Sequence, residues 1–181
     1  MSELLPSDRK AVEYPYIHEL GVIKYVGVDN EYMQLAVAYA KEFSLDKVMP
    51  NTSVVVRDGE VIGIAANGSD FHETNGCERV RLNMPSGQGY ELCEGCSPKN
   101  HGEPKAVANA QERTGEERLD GAEIYLWGHY WCCEPCWDSM VDAGITTVYL
   151  LDGSEVLFNK THPDNVIGRQ FDHLLPDPDL Q

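Results

Sequence analysis

The sequence predicts an α/β protein folded as a single domain over residues 1–181, and two observations carry that expectation. Segments of helical and strand periodicity follow one another in the order α-β-β-(insertion)-α-β-α-β. A chain of 181 residues with 42% apolar content also suits one core of ordinary domain size.

Residues 1–28, ending in AVEYPYIHELGVIKYVGV, mix aromatics, glycines and a proline without a clear period, and read as an N-terminal arm, irregular or folded into a short hairpin. DNEYMQLAVAYAKEFS then offers Asp29 or Asn30 as a cap, followed by Met33, Ala36, Val37 and Ala40 at helical spacing. TSVVVRDGEVIGIAANG reads as two β-branched strands joined at Asp58-Gly59, a dipeptide suited to the positive φ angles of a tight hairpin. Residues 69–100 form a polar, glycine-rich insertion, too long for an ordinary loop, so something other than burial must hold it together.

HGEPKAVANAQER is helical, with Pro104 tolerable because it falls in the first turn. AEIYLWG is a strand, CEPCWDSMVDAG a helix ending at Gly144, and ITTVYLL a buried strand. The remainder suggests a short strand after residue 152, a helix over 163–174 and an acidic tail at 175–181. No internal repeat is present.

With 14 Lys and Arg against 30 Asp and Glu, the formal charge is −16, and no basic run exceeds two residues. Binding to a nucleic-acid backbone rests on clustered Lys and Arg, so a polynucleotide partner is not expected. The opening MSELLPSDRK lacks the charged-then-apolar order of a signal peptide, and no apolar run approaches the roughly 20 residues of a membrane span. The expectation is a soluble, cytoplasmic protein without a membrane partner. In that setting six cysteines with CxxC spacings point to metal or redox chemistry rather than to a disulfide framework.

A catalytic zinc takes three protein ligands and keeps a fourth position for water. His101 stands at the start of one predicted helix, and Cys132, Cys133 and Cys136 at the start of the next. An i, i+3 or i, i+4 pair points two side chains the same way, and free N–H groups at a helix start favour thiolate charge. The residues alone leave both Cys133 with Cys136 and Cys132 with Cys136 open. A closed four-ligand structural site would need one more ligand, for which Cys132 is the obvious candidate. Glu103, two residues after His101, is placed to exchange protons with a water at such a metal without ligating it.

The insertion carries His72, Cys77, Cys93 and Cys96 in a His-x4-Cys…Cys-x2-Cys pattern. Four such ligands make a closed structural zinc, which would supply the cohesion that this segment lacks. The competing reading is unconnected thiols beside a surface histidine, or a Cys93–Cys96 redox pair.

The ordered set HGE (101–103) and CEPC (133–136) resembles the signature of the zinc-dependent cytidine and deoxycytidylate deaminase superfamily, H-x-E…P-C-x-x-C, and is closest to the dCMP deaminase type. VRDGEVIGIAANG and CWDSMVDAGITTVYL are similar to the family's flanking segments, so the resemblance covers about two thirds of the chain. Gly102 stands between His and Glu, Cys132 replaces the usual proline, and WGHYW departs from the segment that shapes the base pocket.

The resemblance implies a three-layer α/β/α sandwich with a mixed five-stranded sheet. It implies a catalytic zinc on His101, Cys133 and Cys136, the cysteine pair being fixed by its distance from Ala143-Gly144-Ile145, with Glu103 as the proton-transfer group. It also implies Asn67 as a substrate-sugar contact and a homo-oligomer. Trp131 reads as core or as a stacking platform for a base.

The expected reaction is hydrolytic deamination of a free nucleotide or nucleoside of the dCMP or cytidine type. Arg79, Arg81, Lys99 and Lys105 are the candidate cations for a substrate phosphate. The alternatives are a deaminase of adenine, guanine or tRNA, and a zinc-binding interaction module without catalysis.

Overall fold

The computed structural model describes residues 15–85 and 87–174, in which five strands and seven helices follow one another along the chain. They are β1 (Val22–Val26), α1 (Glu31–Phe43), β2 (Thr52–Arg57), β3 (Glu60–Ala66), α2 (Phe71–Asn75), α3 (Glu78–Arg81), α4 (Gly102–Thr114), β4 (Glu123–Trp127), α5 (Glu134–Asp142), β5 (Thr147–Leu151), α6 (Ser154–Leu157) and α7 (Gln170–Leu174). The Asn30 side chain caps α1, accepting from the backbone N–H groups of Tyr32 at 3.0 Å and Met33 at 3.2 Å. Asp58 and Gly59, at φ 53° and 79°, turn β2 into β3.

The strands form one mixed sheet in the order β1-β5-β4-β2-β3, with β1, β5 and β4 parallel and β2 antiparallel to both of its neighbours. Alternate residues of each strand point to opposite faces, and two cores result. Val54, Val56, Tyr125, Trp127 and Leu151 pack with Met33, Ala36, Val37 and Ala40 of α1. Val55, Ile124, Leu126, Val148 and Leu150 pack with Ala106, Val107 and Ala110 of α4 and with Cys136, Trp137 and Met140 of α5. This is the expected three-layer α/β/α sandwich.

Differences from expectation lie at the chain's two ends. The arm over 1–28 contributes the sheet's edge strand β1, which pairs with β5 from Val22↔Thr147 to Val26↔Leu151; residues 1–14 lie outside the described part. Its pattern was illegible because Val22 and Tyr25 remain about half exposed, so no two-residue alternation is written into the sequence. The short strand expected after residue 152 is instead α6, opened by Gly153 at φ 77°. The helix expected over 163–174 is reduced to α7, and the acidic tail at 175–181 lies outside the described residues.

Two consequences of the sheet position everything that follows. Thr52 pairs with both Ala66 and Trp127, so Asn51, Asn67 and Gly128 emerge side by side beyond one end of the sheet. Gly63 lets α4 settle on β3, since a Cβ there would stand 2.6 Å from Ala110 Cβ and 2.7 Å from the Ala106 carbonyl oxygen. Gly63→Ala is therefore expected to lower the unfolding free energy by about 1–3 kcal/mol through overpacking, read from denaturant midpoints at unchanged slope.

Candidate active site

His101 is the residue that opens α4 and Cys133 the residue that opens α5, each extended at ψ 153° and 163° before its helix begins. Pro135 sits in the first turn of α5, where a missing N–H is harmless, and Cys136 follows one position later on the same face as Cys133. Because α4 and α5 pack side by side on the sheet, their starts meet. His101 Nδ1 lies 3.2 Å from Cys136 Sγ and 3.5 Å from Cys133 Sγ, and the two sulfurs are 3.1 Å apart. A tetrahedral zinc, with bonds of roughly 2.3 Å to sulfur and 2.0 Å to nitrogen, needs donor separations of about 3.5–3.8 Å, so modest opening admits it. Among the described residues this group has three donors and no fourth.

Cys132 stands outside this group. Its thiol is fully buried and lies against Glu103, and burial pushes its pKa well up. The geometry thus gathers Cys133 with Cys136 and turns Cys132 to the wall. The Cys133 thiol is brought down to about 5 by its hydrogen bond with Cys136, against burial, with His101 acting in the same direction. Glu103 is 5% exposed, and burial raises its carboxyl above the ordinary range, His101 opposing and Cys133 adding to the rise. A carboxyl so placed holds its proton more firmly than one in water, which suits it to proton exchange with a neighbouring group.

The insertion gathers its own four donors. His72 from α2, Cys77 at the start of α3, and Cys93 and Cys96 around a 3-10 turn all place their ligand atoms within 4.8 Å of one another. His72 Nε2 is 3.2 Å from Cys93 Sγ and 3.6 Å from Cys96 Sγ, and Cys77 Sγ is 3.5 Å from Cys96 Sγ. Gly95 makes room for the ring, since a Cβ there would stand 2.5 Å from His72 Nε2. Two of these separations already match the edges of a tetrahedron around zinc and the third is slightly short, so the group could hold a zinc with four donors and no open position. All six cysteines are free thiols.

The insertion also closes over the first group. Tyr90, three residues before Cys93, sets its ring edge-on to His101 at 4.9 Å, and the Arg79 guanidinium, two residues after Cys77, lies 4.6 Å from the Tyr90 ring centre. Arg79 is fixed in turn by donating to the carbonyls of Gln88 at 2.8 Å and Pro85 at 3.1 Å.

Between this roof and the sheet end lies a cavity of about 620 Å³ whose wall includes His101, Glu103 and Cys133. Asn67, Trp131, Arg79 and Arg81 line it as the sequence suggests, whereas Lys99 and Lys105 do not. Lys99 pairs with Glu94 at the surface, and the half-buried amine of Lys105 has its pKa lowered by burial. Asn67 is heavily engaged: its Oδ1 accepts from Ser44 Oγ at 2.6 Å and from the Asn51 N–H at 2.9 Å, and its Nδ2 donates to the Met49 carbonyl at 2.9 Å.

Lys47, Lys160, Asn51, Tyr90 and His129 also line the cavity and were not singled out in the sequence, because none belongs to a spaced pattern. Half-buried His129 accepts the backbone N–H groups of Tyr130 at 3.0 Å and Trp131 at 3.3 Å on Nδ1, so its neutral ring carries the proton on Nε2.

The sequence matches the family model described as the cytidine and deoxycytidylate deaminase zinc-binding region over residues 27–152. No curated protein sequence matches the chain. Among solved structures, the apo dCMP deaminase of the cyanophage S-TIM5 is 19% identical, with 70% of this chain and 86% of that chain covered at a TM-score of 0.42. The guanine deaminase of Bacillus subtilis is 20% identical over 61% of this chain and 57% of that chain, at a TM-score of 0.35. A structure from a study of tRNA:A34 deaminases is 22% identical over 62% of this chain and 73% of that chain, also at 0.35.

Two outcomes follow from this geometry. Cys133→Ser loses the metal of the three-donor group while Cys132→Ala keeps it, which metal analysis of the purified variants reads directly. Burial, with His101 and Lys160 adding to it, pulls His129 from 6.5 down to about 4, so the unfolded chain takes up that proton first. Stability then falls as pH drops through that window, by at most ~1.4 kcal/mol per pH unit from this group. Unfolding midpoints measured at pH 7 and pH 5 are expected to lie closer together in His129→Gln than in the wild type.

Proposed function

The chain belongs to the cytidine and deoxycytidylate deaminase family, and we propose that it hydrolytically deaminates a free nucleotide or nucleoside of the dCMP or cytidine type. The observation that carries this reading is the three-donor group of His101, Cys133 and Cys136 with buried Glu103 beside it, opening into a cavity large enough for a nucleotide. A group meant only for structure closes with a fourth ligand, as the insertion's does.

When bound, zinc supplies the Lewis acidity that brings a water's pKa toward neutrality. Glu103 accepts the proton of the attacking water and passes it to the ring nitrogen as oxygen bonds to the amine-bearing carbon. It then takes the second proton, from the newly bound hydroxyl, and delivers it to the amine as the carbon–nitrogen bond breaks, leaving a carbonyl and ammonia. Water is consumed and nothing is oxidised or reduced. The burial that raises the Glu103 pKa suits it to both halves of this exchange. His101, Cys133 and Cys136 hold the metal, and His72, Cys77, Cys93 and Cys96 hold a second, structural zinc that keeps Tyr90 and Arg79 over His101.

Arg79, Arg81, Lys47 and Lys160 bring positive charge to the cavity wall of a chain that is otherwise at −16, which supports a phosphorylated substrate. Free thiols throughout support a reducing, cytoplasmic setting, and among the described residues no helix is long and apolar enough to cross a membrane. Other copies of the chain are the proposed protein partner, supported by Val22 and Tyr25 left half exposed on the edge strand β1.

The deciding measurement is ammonia release from cytosine, adenine and guanine nucleosides and their monophosphates. Turnover of a cytosine substrate is expected, with Glu103→Gln slower by several orders of magnitude at full zinc content. A zinc-loaded protein that turns over no amine-bearing base replaces this reading with a zinc-binding interaction module, and a Glu103→Gln variant of near-normal rate overturns the proton-transfer role of Glu103.

A further inference from the structure

Asn51 directly precedes β2 and faces Asn67 across the end of the sheet, and the two residues are locked together by their backbones. The Asn67 N–H donates to the Asn51 carbonyl at 3.1 Å, and the Asn51 N–H donates to Asn67 Oδ1 at 2.9 Å. Their side chains fare differently. The Asn67 carboxamide makes three hydrogen bonds inside the protein, whereas Asn51, only 8% exposed, has a buried Oδ1 without any partner.

That oxygen lies against the turn that carries the chemistry. A Cβ on Gly102 would stand 2.8 Å from it, so glycine between His101 and Glu103 is what allows the Asn51 amide to sit there. Asn51 also lines the same cavity as His101 and Glu103. Leaving a buried amide unpaired is unfavourable, and a group held in that state at a cavity wall is satisfied when a ligand supplies its partner.

We propose that Asn51 is a specificity-determining residue that hydrogen-bonds the polar edge of the substrate's base, beside the ring nitrogen on which Glu103 acts. A carboxamide presents an acceptor and two donors from one rigid plane. The ligand it suits is a heterocycle carrying, next to the reacting amidine, a further polar ring group such as the carbonyl of a pyrimidone. Asn67, its amide engaged with Ser44, Met49 and Asn51, fixes the wall on which Asn51 stands. The proposal rests on the deaminase reading for the identity of the ligand, and its test separates the two.

Binding is measured by calorimetry in zinc-loaded Glu103→Gln protein, where turnover does not interfere, with cytosine, adenine and guanine nucleosides and their monophosphates. Adding Asn51→Leu is expected to weaken the preferred base tenfold or more and to shrink the preference among bases, with the thermal midpoint unchanged or raised because an unpaired buried amide has been removed. Asn51→Ala serves as the second variant should leucine not fit, with the same loss of preference. Affinities within twofold of the parent with the preference intact overturn the proposal. So does a fall in thermal midpoint without any change in preference, the signature of a buried water linking Asn51 Oδ1 to the equally unpartnered Ser53 Oγ. Failure of every ligand to bind overturns it as well. A base that binds through Asn51 and is not deaminated by the wild type removes the deaminase reading and leaves this one standing.

Discussion

The molecule depends on the meeting of two helix starts. α4 and α5 lie side by side on one face of the sheet, and the residues that immediately precede them, His101 and Cys133, face each other across a gap of 3.5 Å. Every other feature either brings those two ends together or encloses the space in front of them. Gly63 sets how closely α4 lies on β3, and the shared pairing of Thr52 with Ala66 and Trp127 fixes where the loops of β2, β3 and β4 emerge. The N–H groups left free at a helix start favour negative charge, which suits thiolates and a nearby carboxylate.

Burial works on this site in two directions. It raises Glu103 and Cys132 above their ordinary ranges, favouring their protonated forms, while hydrogen bonding brings Cys133 down to about 5. One small volume therefore holds a ready thiolate and a carboxyl able to carry a proton, the division of labour that a metal-assisted proton transfer requires. The insertion completes the enclosure. Its polar sequence has little to bury, yet it gathers four metal-type donors and lays Tyr90 and Arg79 over His101. The two donor sets differ by one ligand, and that difference separates a closed site from one with room for a reacting molecule.

The elements most legible in the sequence were those buried on a regular period. The first helix showed in Met33, Ala36, Val37 and Ala40, and the hairpin in two β-branched runs about Asp58-Gly59, because burial and turn geometry select residues locally. β1 escaped notice because an edge strand buries too little of either face to write an alternation. The segment after β5 misled because its few apolar residues, Val156, Leu157 and Phe158, read equally as a short strand or a single helical turn, and Gly153 with packing decided for the turn.

By itself the sequence determined which candidate metal donors and proton-transfer group come together in pairs. His101, Glu103, Cys133, Cys136 and the four donors of the insertion are set by spacing within single helix starts and turns, so local geometry alone brings each pair to one side. Tertiary structure decided what those groups face. The turning of Cys132 toward Glu103, the exclusion of Lys99 and Lys105 from the cavity, the arrival of Lys47 and Lys160, and the contrast between an engaged Asn67 carboxamide and the unpartnered Oδ1 of Asn51 all depend on contacts between segments far apart in the chain. Such contacts leave no period and no motif, because a side chain's partners are chosen by the packing of whole elements rather than by its neighbours in sequence.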